Sequence, residues 1–128
     1  MLRPIGSDAG AVTQATRTID GDPTSYSYLE NPKAWIGVEL PVGTSPVRLR
    51  LLPRPGHGPY LRHGVLEGCN GDPAKGPWTH LLTADREMDD DWQQFAIPEE
   101  RSWRYLRWRS AAGRNQMLAE WQVLGSMK

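Results

Sequence analysis

Short alternating segments, cut apart by proline and glycine, limit this chain more than any other feature. Val47-Arg48-Leu49-Arg50-Leu51 alternates strictly, apolar residues to one side and arginines to the other. That is the period of a strand with one face buried. Trp92–Ile97 alternates again, and Met117–Leu124 puts Ala119, Trp121 and Val123 on one face. Trp35–Leu40 reads as a strand by its β-branched and aromatic content. His63–Cys69, Trp78–Thr83 and Trp103–Arg109 read likewise, and Leu2–Ile5 suits a short edge strand. Between them lie the breakers Pro41–Pro46, Pro53–Pro59, Gly68–Pro73 and Pro98–Ser102. Pro53–Pro59 alone holds three prolines and two glycines. About eight short strands, with turns roughly every eight to twelve residues, predict an all-β sandwich or jelly roll. Ala11–Thr18 has a helix-compatible composition but poor apolar spacing, so no helix longer than about two turns is expected.

The chain has 128 residues and no internal repeat or linker, which predicts a single domain over 1–128. Fifteen basic and fifteen acidic residues give a formal net charge of zero. Nothing in that balance favours nucleic acid or an anionic membrane. No stretch approaches the roughly 18 apolar residues of a membrane span. Met1–Gly10 lacks the apolar centre of a signal peptide, and a piece of a larger multidomain protein is the expectation. One cysteine, Cys69, leaves no partner for an intrachain disulfide. His57, His63 and His80 lack zinc-site spacing. Asp89–Asp91 and Glu99–Glu100 read as solvated charge runs rather than the paired carboxylates of a hydrolase, so no enzyme is expected.

Two stretches carry chemistry. In Thr18-Ile19-Asp20-Gly21-Asp22-Pro23-Thr24-Ser25, oxygen-bearing side chains crowd around a glycine and a proline. This reads either as a surface turn or as a rigid loop of hard ligands suited to calcium. Glu120 stands between Ala119 and Trp121 in a strand pattern, where a charge needs a partner unless it faces solvent. The second stretch runs from Arg54 to His63. It offers ring nitrogens, two guanidinium groups and the Tyr60 phenol within one proline-stiffened loop. Sugars are held by such polar groups beside an aromatic platform; the plainer reading is a polar loop with Arg62 paired to Glu67 or Asp72. Trp35, Trp103 and Trp121 are expected in the core and Trp78 and Trp92 at the sandwich ends. Trp108 fits either the core or a sheet face.

The order of motifs resembles a known family. Ile19-Asp20-Gly21-Asp22-Pro23 is followed by Trp35-Ile36-Gly37-Val38-Glu39-Leu40, Pro53-Arg54 and Leu66-Glu67-Gly68-Cys69-Asn70. Trp78-Thr79, Arg104-Tyr105-Leu106-Arg107 and Leu118-Ala119-Glu120-Trp121 complete the series. Between about Ala15 and Gly125 the chain resembles the discoidin family, or coagulation-factor type C domains, and within it the bacterial family 32 carbohydrate-binding modules. The resemblance implies a galactose-binding-like jelly-roll sandwich. It implies a structural calcium held by the side chains of Asp20, Ser25 and Glu120 and the backbone oxygens of Arg17, Asp22 and Ala119. It also implies a sugar site in which His57 and Arg62 meet galactose-type hydroxyls, with Arg54, Tyr60 and Asn115 around them. Many family members carry an aromatic near Arg114-Asn115-Gln116; this chain has none there. The expected function is a non-catalytic module recognising a glycan, extracellular or cell-surface; the alternative is a discoidin-like protein-interaction or assembly domain without a sugar site.

Overall fold

A computed structural model describes residues 3–19, 34–98, 101–110 and 118–127. In chain order the elements are β1 (Arg3–Gly6), α1 (Ala9–Thr16), β2 (Trp35–Glu39), β3 (Thr44–Pro53), a 3-10 turn (Gly58–Leu61), β4 (Val65–Cys69), β5 (Thr79–Thr83), β6 (Gln93–Ala96), β7 (Tyr105–Arg109) and β8 (Leu118–Met127). They form two antiparallel sheets, β1-β2-β7-β4-β5 and β6-β3-β8. The expected all-β sandwich of eight strands is the observed architecture.

Period-2 alternation places the core between the sheets. Leu49 and Leu51 lie opposite Val123 and Trp121 across β3 and β8. Ile36, Trp108 and Leu66 form one row across the larger sheet, with Val38 and Leu106 alongside, and all five are buried. Trp108 is core, not a sheet-face patch. Two glycines make room for indoles. A Cβ on Gly64 would lie 2.2 Å from the Trp108 ring, and one on Gly68 would lie 2.6 Å from Trp103.

The structure departs from the alternation at Val47, which is 44% exposed. Pro46 has no N–H to donate to a ladder, and the β3–β8 register shifts between Pro46 and Arg48. Val47 falls in that irregularity, and its carbonyl accepts from Ile97 N–H.

The helix is as short as expected but begins earlier than the composition suggested. Its start is set by Asp8, whose Oδ1 accepts from Ala11 N–H at 2.8 Å, and only Ala11 and Ala15 are buried. Asp8→Ala removes this cap and is expected to cost about 1 kcal/mol. Urea unfolding should show a lower midpoint with an unchanged slope; an unchanged midpoint would mean that the cap bond adds nothing to stability. Among the described residues no helix is long and apolar enough to cross a membrane.

Candidate functional site

Pro53 ends β3, and the chain leaves the sheet as a loop that the segment after β5 holds in place. Gly56 N–H donates to Asp90 Oδ1 at 2.8 Å. Gly58 packs so tightly that a Cβ would lie 2.2 Å from the Met88 carbonyl oxygen. His63 N–H donates to Ala84 O, and Ala84 N–H returns a bond to Gly64 O. Leu61 is fully buried beneath the loop. Ala84–Asp91 is therefore more than a solvated acidic run. Its carboxylates are exposed, but Met88 is buried, and Asp89 Oδ1 accepts from Asp91 N–H and Gln93 Nε2.

Arg54, His57 and Arg62 share this braced loop. The Tyr60 side chain and Asn115 lie outside the described residues. Arg62 pairs neither with Glu67 nor with Asp72. Its guanidinium lies 3.7 Å from Asp85 and 3.8 Å from Glu87, because the β4–β5 pairing brings residue 85 back beside the loop. Both contacts are too long for hydrogen bonds; Asp85 and Glu87 are exposed and Arg62 is half-buried, so the pairing is loose. His57 Nδ1 stands 3.0 Å from Pro55 O. A carbonyl only accepts, so the proton is on Nδ1. His63 was not singled out within the loop. It holds a positive φ of 68° and lies 3.3 Å from Asp85 through Nδ1; nothing in its sequence neighbourhood signals that geometry.

Asp20, Asp22 and Ser25, half of the expected calcium cage, lie outside the described residues. Among the described residues no three His, Cys, Asp or Glu side chains cluster for a metal. The part of the cage within view is compatible with a hard cation. Glu120 is 6% exposed, not solvent-facing, and lies opposite Leu52 in β8. Trp121 N–H donates to Thr18 O at 2.9 Å, so the chain just after α1 runs beside Ala119 and Glu120. The backbone carbonyls of Arg17 and Ala119 and the carboxylate of Glu120 are oxygen donors, the type calcium takes.

The outward side of the five-stranded sheet holds a second cluster. Trp35 is buried there, not between the sheets: its ring meets Trp78 edge-on at 5.2 Å. Trp78 thus lies against this face rather than at a sandwich end. The other expected end residue, Trp92, lies under the guanidinium of Arg50, 4.6 Å from its ring centre. Arg107 stacks 4.3 Å from the Trp78 ring centre. Across β7 and β4, Arg107 Nε and Arg109 Nε both donate to Glu67 Oε1 at 2.7 Å, and Arg109 Nη2 donates to Oε2 at 3.1 Å. Burial alone would push the Glu67 carboxyl up; the hydrogen bonds from Arg109 and Arg107, with their charges, bring it below the usual glutamate range. Glu39 is shared in the same way, 3.5 Å from Arg3 and 3.3 Å from Arg104. The loop after β4 turns back on itself through an Asp72–Gly76 bridge. Its Pro73 and Ala74, with β1, Val12 and Trp35, line a half-open cavity of about 570 Å3.

No family model matches the chain, and no curated protein matches it. Solved structures do. The family 62 carbohydrate-binding module of Clostridium thermocellum Xyl5A has a TM-score of 0.77 at 20% identity, over 99% of this chain and 96% of that one. An F5/8 type C domain from Bacteroides fragilis gives 0.73 at 17% identity, over 99% and 92%. The family 32 module of Clostridium perfringens NanJ, solved with galactose, gives 0.69 at 14% identity, over 96% and 91%. From end to end, then, the chain has the fold shared by discoidin-like F5/8 type C domains and these carbohydrate-binding modules.

Proposed function

We propose that this is a non-catalytic carbohydrate-binding domain whose Arg54–His63 loop takes a galactose-type sugar. The supporting observation is the loop itself. It presents Arg54, His57 and Arg62 from a backbone fixed by Asp90, Met88 and Ala84, on a sandwich matched over nearly its whole length by such modules. A loop ordered before binding loses little entropy when a ligand arrives. The long contacts of Arg62 Nη1 and Nη2 to Glu87 and Asp85 leave these two terminal nitrogens able to turn to ring hydroxyls. His57, Arg54, Tyr60 and Asn115 complete the proposed set. Calcium belongs to the same proposal, held by the side chains of Asp20, Ser25 and Glu120 and the backbone oxygens of Arg17, Asp22 and Ala119. It would join the buried Glu120 to the loop after α1, with no part in any reaction.

Shallow sugar sites bury few atoms, so the expected Kd for a monosaccharide is on the order of 0.1–1 mM, about 4–5 kcal/mol. Titration with galactose, N-acetylgalactosamine, glucose and fucose, followed by NMR, tests this. Arg62→Ala should remove binding and leave the melting temperature nearly unchanged. No shift with any sugar at roughly tens of millimolar, far above that Kd, would favour a protein-interaction domain. Loss of fold in the variant would assign Arg62 to structure.

A further inference from the structure

We infer that the cavity between β1, α1 and the loop after β4 is a second binding site, and that its ligand is an acidic sugar, a pyranose ring bearing a carboxylate. The inference does not rest on the Arg54–His63 reading, since the cavity shares no residue with that loop.

Size and lining come first. A volume of about 570 Å3 lies within the usual range for small-ligand sites. Ile5, Val12, Trp35 and Pro73 give it apolar walls, suited to the C–H faces of a sugar ring, and Arg3 gives it one guanidinium. Trp35 is a stiff wall: its backbone N–H donates to Ser7 Oγ, its ring is backed by Trp78, and Arg107 lies 5.4 Å from the ring centre.

Charge then selects the ligand class. Along the outward side of this sheet Arg3, Arg104, Arg107 and Arg109 share two carboxylates, Glu39 and Glu67. Four positive charges against two negative ones leave an excess of two. Of the other charged groups close by, Asp8, the cap of α1, lowers the excess to one, while Asp72 and Lys75 in the loop offset each other. Arg3 is the most exposed of the four arginines, with 75% of its side chain accessible, and its contact with Glu39 at 3.5 Å is loose. A guanidinium so placed can take a ligand carboxylate two-pronged, while the ring lies against Ile5 and Trp35. A neutral sugar would leave the excess charge unanswered.

The test is a 1H–15N titration of the full chain with galacturonate and glucuronate. Galactose and glucose serve as neutral matches, acetate as a bare carboxylate, and a short glutamate peptide as an acidic peptide. The uronates should move the Trp35 indole resonance and the amides of Arg3, Ile5, Gly6 and Ser7. Arg3→Gln should weaken that response about tenfold, the size of one charge-assisted contact. Ala74→Trp, placed at the exposed loop tip to fill the cavity, should abolish it, with spectral dispersion confirming that both variants fold. Arg54→Ala/His57→Ala should leave it intact, which separates this site from the loop. The inference is overturned if uronates cause no shift at roughly tens of millimolar, far above a Kd of about 1 mM, or if Arg3→Gln binds as well as the parent. It is equally overturned if neutral sugars or acetate move the same resonances as far, or if the peptide binds more tightly than the uronates.

Discussion

Glu67→Ala is expected to destabilise the protein by about 3 kcal/mol, at the lower end of what breaking a buried ion pair costs. Glu67 is buried in β4, and Arg107 Nε and Arg109 Nε both donate to its Oε1. Without the carboxylate, two neighbouring guanidinium groups on β7 face each other with no counter-charge. Arg109 is partly exposed and water can relieve its share, which keeps the cost near the lower end. The pH dependence has a fixed sign. The folded-state pKa of Glu67 lies below its ordinary value of 4.5, so its contribution is complete above that value. It is lost as pH falls through the lowered folded-state pKa. Urea unfolding of the parent and of Glu67→Ala should therefore show a constant gap at neutral pH that narrows in acid. A gap of the same size at pH about 3, below the ordinary glutamate pKa, would mean that Glu67 acts by packing and not by charge.

Calcium removal should have an effect of similar size. A ligand that binds only the native state stabilises it by about 2.7 kcal/mol when its free concentration is 100 times its Kd. A chelator should lower the melting temperature accordingly, and Asp20→Ala should abolish the chelator's effect. Glu120→Gln should cost stability in calcium buffer and much less in chelator. The proposed metal would not be the only tie between β8 and the chain after α1, because the Trp121 N–H to Thr18 O bond needs no cation. Chelation should thus leave the Trp121 amide protected from hydrogen exchange while stability falls. Equal losses for Glu120→Gln in both buffers would assign Glu120 to another contact, and a chelator without effect on the parent would remove calcium from the proposal.

The strands were legible because alternation is a local property. Leu49 and Leu51 carry their direction in the residues beside them, and the inter-sheet core follows. Trp35 was not legible in the same way. Trp35, Ile36, Gly37 and Val38 are all buried, so no alternation told one face of β2 from the other. What covers the outer face is Trp78, which follows a loop far along the chain. Arg62 was misread for a related reason: Glu67 and Asp72 are near in sequence, but the β4–β5 hairpin returns Asp85 and Glu87 to its side. Glu67, read only as part of a motif and as a partner for Arg62, was not legible as the centre of an arginine cluster because its partners on β7 are set by strand register. The Arg54–His63 loop was readable as one unit from its prolines, whereas the segment that braces it was not.

The strand order also shapes how the molecule must assemble. Leu49 pairs with Val123 and Trp35 with Arg109, each across more than half the chain. Among the described residues, only the β4–β5 ladder joins strands separated by a short loop. Contacts of such long sequence separation lose much chain entropy before they return any energy, and folds dominated by them mature in milliseconds to seconds. Until β7 and β8 are in place, β2 and β3 each lack a neighbour, so these two interior strands spend that interval as open edges on which another unfinished copy can pair.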